Sequence, residues 1–193
     1  MRCDKCAEHL CGDGLPCMTR ESQKLYQGTE RKMMQAAAEV ECTYYGDINR
    51  IEEIIEFSKR MGYRKLGIAF CRALSDEAAK IASILEHYFE ISSVCCKVCG
   101  IPKESLDAPT SDRVGDYACN PIEQAKILEE AGTDLNIVLG LCVGHDALFI
   151  KHSHTYVVPL AAKDRRLGHN PLAAVYCSAI YKRMVKNAEN QEK

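Results

Sequence analysis

The run Ile137-Val138-Leu139-Gly140-Leu141-Cys142-Val143-Gly144-His145-Asp146 constrains this chain more than any other stretch. It is wholly apolar at first and then ends abruptly in a thiol, a glycine, an imidazole and a carboxylate. An apolar run of this length bounded by turn residues predicts a central strand of a parallel sheet, buried on both faces. In open α/β sheets ligands sit in the crevice beyond the carboxyl ends of the strands. Cys142 and His145 therefore fall where a catalytic pair would stand, with Cys142 as a ligand or nucleophile. The plain alternative is a buried cysteine in a tight turn.

The flanking segments alternate in the same way. Lys65-Leu66-Gly67-Ile68-Ala69-Phe70 reads as a strand running into Cys71, and Ile91–Val98 as a second strand closing in Cys95, Cys96 and Cys99. Thr155–Leu160 reads as a fourth strand, whose Pro159 suits an edge. Helices are expected over Thr29–Glu41, after a cap at Asp47 as far as Gly62, from Ser75 through Tyr88, and after Asn120-Pro121. A short helix is expected over Ala147–Lys151, and a last one started by His169-Asn170-Pro171. Strands alternating with helices give an α/β domain over 24–193. Its open, mainly parallel four-stranded sheet has flanking helices in the layering of Rossmann-like or flavodoxin-like folds.

Residues 1–23 are different. Cys3, Cys6, Cys11 and Cys17 sit among glycines with too little apolar material for a core, so a metal is expected to supply the folding energy of this head. The spacing C-x2-C-x4-C-x5-C matches neither paired zinc-ribbon knuckles nor the common ferredoxin runs. A loose head with unligated thiols is the competing reading.

Composition narrows the function classes. The 25 basic and 27 acidic residues leave no basic stripe for nucleic acid. No apolar run reaches the roughly 18 residues that span a bilayer, and the N-terminus has no signal-peptide core, so a cytoplasmic protein without a membrane partner is expected. In that reducing compartment, twelve cysteines point to metal or redox chemistry rather than disulfides.

Three predicted strand ends deliver a thiol: Cys71, one of Cys95, Cys96 and Cys99, and Cys142. Cys119 precedes a helix start. In a parallel sheet all of these face one edge, so Cys71, Cys119, Cys142 and one of Cys95, Cys96 and Cys99 are candidate metal ligands. Lys163, Asp164, Arg165 and His169 are candidates for binding a small anion or cofactor there. Soft thiolates accept an iron–sulfur cluster, zinc or copper(I). The favoured expectation is an iron–sulfur protein that transfers electrons, through a redox partner protein, or works on a small anion. The alternatives are a zinc-stapled protein with Cys142 as nucleophile or sulfur carrier, and a non-catalytic metal chaperone or sensor.

The cysteine head, Cys96-Lys97, Cys119-Asn120-Pro121, Gly140 to Asp146, Lys163-Asp164-Arg165 and His169-Asn170-Pro171 together resemble a family from archaea and anaerobic bacteria. Its members are described as metal-binding proteins of unknown function. The resemblance spans nearly the whole chain. It implies metal binding, without a reaction or substrate, and favours Cys96 over Cys95 and Cys99.

Overall fold

A computed structural model describes residues 2–8, 10–15, 18 and 21–190. The chain divides into two units, 1–45 and 46–193.

The first unit has three short 3-10 turns, Cys3–Lys5, Leu10–Asp13 and Ser22–Leu25, followed by helix α1 (Gly28–Tyr44). Every described residue before α1 is exposed, as a segment with so few apolar side chains must be. Cys17 lies outside the described residues.

The second unit is α/β. Its strands β1 (Lys65–Phe70), β2 (Glu90–Cys95), β3 (Leu135–Leu139) and β4 (Val157–Ala161) form one sheet in the order β2-β1-β3-β4. All three pairings are parallel. The central strands β1 and β3 carry near-continuous apolar runs because both faces are covered. On one face, Ile54 and Ile55 of α2 (Arg50–Met61) and Leu74, Ala78, Ile81 and Leu85 of the next segment pack with Leu66, Ile68, Leu135 and Ile137. Ala78, Ile81 and Leu85 belong to α3 (Ser75–Leu85). On the other, Ala125 and Leu128 of α4 (Pro121–Glu130) and Phe149 of α5 (His145–His152) pack with Ala69, Val94 and Val138. Gly67 is required in β1, since a Cβ there would stand 2.1 Å from Asn136 Oδ1.

Several element ends differ from the expectation. The cap of α2 is Asn49, not Asp47: its side chain accepts from Ile51 N and Glu52 N, and Glu52 returns a bond to Asn49 N. The glutamate three residues on completes a capping box that Asp47 could not. Strand β2 stops at Cys95, because the following turn takes Cys99 to φ 63° and Gly100 to φ 54°. The last helix does not begin at His169-Asn170-Pro171. His169 has φ 63° and its amide bonds back to Asp164 O at 2.8 Å, so the turn is closed upon itself. Helices α6 (Ala173–Tyr176) and α7 (Ser178–Glu189) follow, parted by the extended backbone of Cys177. No helix among the described residues is long and apolar enough to cross a membrane.

Candidate functional site

The sheet order places a topological switch point between β1 and β3, whose onward connections leave in opposite directions. Cys71 follows β1 and Cys142 lies just past β3, so both flank that crevice. Four backbone hydrogen bonds sew the carboxyl edge together. Asn120 N donates to Cys96 O at 2.8 Å, Cys96 N to Phe70 O at 2.9 Å, Cys71 N to Leu139 O at 3.1 Å, and Gly140 N to Ala161 O at 2.7 Å. The segments carrying Cys119, Cys96, Cys71 and Cys142 are thereby held side by side. Gly140 is needed in this seam, having φ 61° and leaving 2.2 Å between a notional Cβ and Leu74 Cδ1.

Beneath the seam lies Gln124, which is fully buried. Its Nε2 donates to Val94 O at 2.7 Å and to Phe70 O at 3.3 Å, tying the ends of β2 and β1 from the α4 side. A glutamine on the apolar stripe Pro121, Ala125, Leu128 was the sequence signal for it; its Nε2 is partnered, whereas its buried Oε1 has no hydrogen-bond partner among the described residues.

Three thiols interact. Cys96 and Cys119 share a hydrogen bond with their sulfurs 3.7 Å apart, and Cys71 lies close enough to Cys96 to favour its charged form slightly. Cys96 Sγ accepts Arg72 N at 3.3 Å. Charge is divided unequally within the pair. The bond to Cys119, followed by burial, pushes Cys96 up, so Cys96 keeps its proton. The same bond, helped by the Lys97 ammonium, lowers Cys119 to about 7 against the opposing effect of burial. Cys119 is thus the readily charged partner. Burial also raises the neighbouring Cys95.

Cys142 lies on its own turn, part-exposed and near enough to Cys119 to oppose its ionisation, and Arg165 Nη2 donates to its sulfur at 3.2 Å. That contact raises the Arg165 guanidinium above its ordinary value. His145 opens α5, and its amide bonds to Cys142 O at 2.9 Å. Asp146 Oδ1 accepts Ala147 N at 2.8 Å in the first turn of α5.

The other candidates form one loop. Asp164 Oδ1 accepts Arg166 N and Leu167 N, both at 2.9 Å, while Asp164 N donates to His169 Nδ1 at 3.1 Å. His169 therefore shapes the loop through an unprotonated Nδ1, and Asp164 spends its carboxylate on backbone amides. Lys163 Nζ is buried without a hydrogen-bond partner among the described residues. Its Cε lies 3.7 Å from the notional Gly140 Cβ, which puts the chain of Lys163 against the seam.

The edge therefore collects four cysteines together with the cations Arg72, Lys97, Lys163 and Arg165. Among the described residues, no three His, Cys, Asp or Glu side chains stand together as a ready ligand set for one metal ion. In the head, Cys3, Cys6 and Cys11 are exposed. Arg72 and Gln124 were not singled out in the sequence. Arg72 carried no signal of its own beyond its place after Cys71.

Residues 13–160 match the family described as "Protein of unknown function (DUF1847)". The chain is also 44% identical over 191 residues to the uncharacterised protein MJ0455 of Methanocaldococcus jannaschii, covering 96% of this chain and 99% of that protein. No solved structure matches. The chain belongs to the DUF1847 family. Neither the family description nor the relative's name assigns a metal.

Proposed function

We propose that this member of the DUF1847 family is a cysteine-thiolate protein whose sheet edge holds a soft metal centre, an iron–sulfur cluster in preference to zinc. The centre transfers electrons to a partner or acts on a small anion. The observation that carries this reading is the Cys96–Cys119 pair. Its sulfurs are 3.7 Å apart, and two thiolates bonded at about 2.3 Å to one tetrahedral metal stand about 3.8 Å apart. Cys119 lowered to about 7 supports it, because the ligand is the thiolate and not the thiol. Cys71 and Cys142 complete the set when their side chains rotate onto that pair. A two-iron cluster takes two thiolates on each iron at that same spacing, and a chain with twelve cysteines has thiols to spare for it, which favours iron–sulfur. Lys97, Lys163 and Arg165 offset the negative charge such a centre brings. In the same proposal Cys3, Cys6, Cys11 and Cys17 give the head a second thiolate site that supplies its missing folding energy.

A second reading makes Cys142 a nucleophile or sulfur carrier. It is favoured by the Arg165 contact at 3.2 Å, which attracts an anionic reactant to a part-exposed sulfur.

Anaerobic reconstitution separates these. The chain with all four head cysteines replaced by Ser is loaded with iron and sulfide, or with zinc, and metal per chain is measured. Retained metal that disappears in the added Cys96→Ser/Cys119→Ser pair supports the edge centre. Equal loading with and without that pair sinks it. Label from a sulfur donor accumulating on Cys142 in metal-free protein would select the second reading.

A further inference from the structure

Beside the thiol edge lies a cavity of about 310 Å³. Arg72, Lys97, Gly100, Val114, Asp116 and Tyr117 line it. Two of these walls are direct chain neighbours of the edge thiols, Arg72 following Cys71 and Lys97 following Cys96, and Tyr117 precedes Cys119 by two residues. The cavity is preformed by backbone. Pro102 and Tyr117 form an antiparallel bridge, flanked by Lys103 N to Asp116 O and Ala118 N to Ile101 O, both 2.8 Å. Lys97 Nζ donates to Tyr117 O, leaving further ammonium donors for a ligand. Among the described residues no carboxylate forms an ion pair with Arg72. Val114 and the exposed Tyr117 ring supply apolar contact.

We propose that this cavity binds a small organic carboxylate with a flat apolar body, its single anionic group between Arg72 and Lys97. A forked guanidinium and an ammonium on one cavity are suited to a carboxylate, and Tyr117 to a planar body. Asp116 restricts the charge: a second anionic group in the same cavity meets its carboxylate. Bound there, the ligand lies against the side of the edge that carries Cys71, Cys96 and Cys119. That the ligand is the substrate of the thiol centre rests on the function proposed above, whereas binding itself does not.

The probes are benzoate, its uncharged counterpart benzamide, and the dianion isophthalate, titrated into the reduced, metal-free full chain. Affinity is read by calorimetry and location by amide shifts of Gly100 and Gly115. Benzoate is expected to bind at least about tenfold more tightly than benzamide, since hydrogen bonds to a charged group are stronger than those between neutral groups. Isophthalate binds more weakly than benzoate and recovers in Asp116→Asn. Arg72→Gln, at an exposed residue, and Lys97→Gln, at a half-buried one, each weaken benzoate about tenfold. Equal affinity for benzoate and benzamide, indifference to both substitutions, or shifts that avoid Gly100 and Gly115 would overturn the proposal. The same titration of Cys119→Ser keeps the two readings apart. Undiminished benzoate affinity there is expected for the cavity even if the thiol centre fails. Slower Cys119 alkylation in benzoate-saturated native chain then ties the cavity to the thiols, and an unchanged rate refutes that tie.

Discussion

The chain concentrates cysteine in two places, and they are built in opposite ways. In the head, Cys3, Cys6 and Cys11 are exposed and no described neighbour before α1 is buried. At the sheet edge, Cys71 and Cys96 are 8% and 2% exposed, and the segments bearing them are sewn together by backbone hydrogen bonds. The edge owes its arrangement to a covered sheet, whereas the head has only its thiols with which to organise itself. Thiol positions at the edge should therefore respond to changes in the core, and those in the head to what the thiols bind.

The largest effect tests that dependence directly. Phe149 is fully buried against the sheet on the face that also holds Cys71 and Cys96. Phe149→Ala should cost about 3–5 kcal/mol and speed alkylation of Cys96 by local opening. Denaturant midpoints and peptide mass measure both. Cys3→Ser with Cys6→Ser should leave the α/β unit's midpoint within about 0.5 kcal/mol of the original. A head substitution that destabilised the sheet equally would erase the contrast.

Next comes Gln124→Met, which keeps the volume but removes the donor to Val94 O and Phe70 O. About 1–2 kcal/mol should be lost, with faster alkylation of Cys96. Unchanged stability would mean that the strand ends hold without Gln124.

The pH dependence of the Cys96–Cys119 pair is smaller. Cys119 falls to about 7 in the fold from an ordinary value of 9.0, so its contribution is complete above 9.0 and fades as pH drops through about 7. Cys96 is raised, so its contribution is complete below 9.0 and fades as pH climbs above that. Together they predict stability of the reduced, metal-free chain that rises from pH 7 to 9 by about 1 kcal/mol and then declines. Urea titrations across that range measure it. Cys119 alkylation should follow a midpoint near 7, and a midpoint at the ordinary thiol value would contradict the pairing.

The smallest effect concerns Arg165→Gln. Loss of the guanidinium at 3.2 Å from Cys142 Sγ should lower the ratio of iodoacetate to iodoacetamide rates at Cys142 about threefold at low salt. Head cysteines should show no change in that ratio.

Elements whose cause is local were legible in the sequence. The strand Lys65–Phe70 and the start of α4 at Asn120-Pro121 follow from apolar runs and cap chemistry alone. So did the edge position of β4 with its Pro159. Where an expectation missed, a partner that it had left out decided. Asn49 prevailed over Asp47 because Glu52 answers it. His169-Asn170-Pro171 looked like a helix start but bends back on Asp164, a contact that spacing does not reveal. The delivery of Cys71, Cys142 and one of Cys95, Cys96 and Cys99 by strand ends could be read from the alternation of elements, which left the choice within that group open. The bond between Cys96 and Cys119 and the placing of Arg165 on Cys142 depend on side-chain directions set by the strand order β2-β1-β3-β4, which no single segment encodes.

The seam from Asn120 through Cys96, Phe70 and Cys71 to Leu139 is made of amide and carbonyl groups only. Its dipoles are already aligned, and none is free to swing when a neighbouring sulfur gains or loses charge. A centre mounted on such a frame meets a change of charge with little reorganisation energy, because the nearest dipoles do not have to turn. The identity of the side chains can then change what reacts at the edge while the backbone goes on fixing where it reacts.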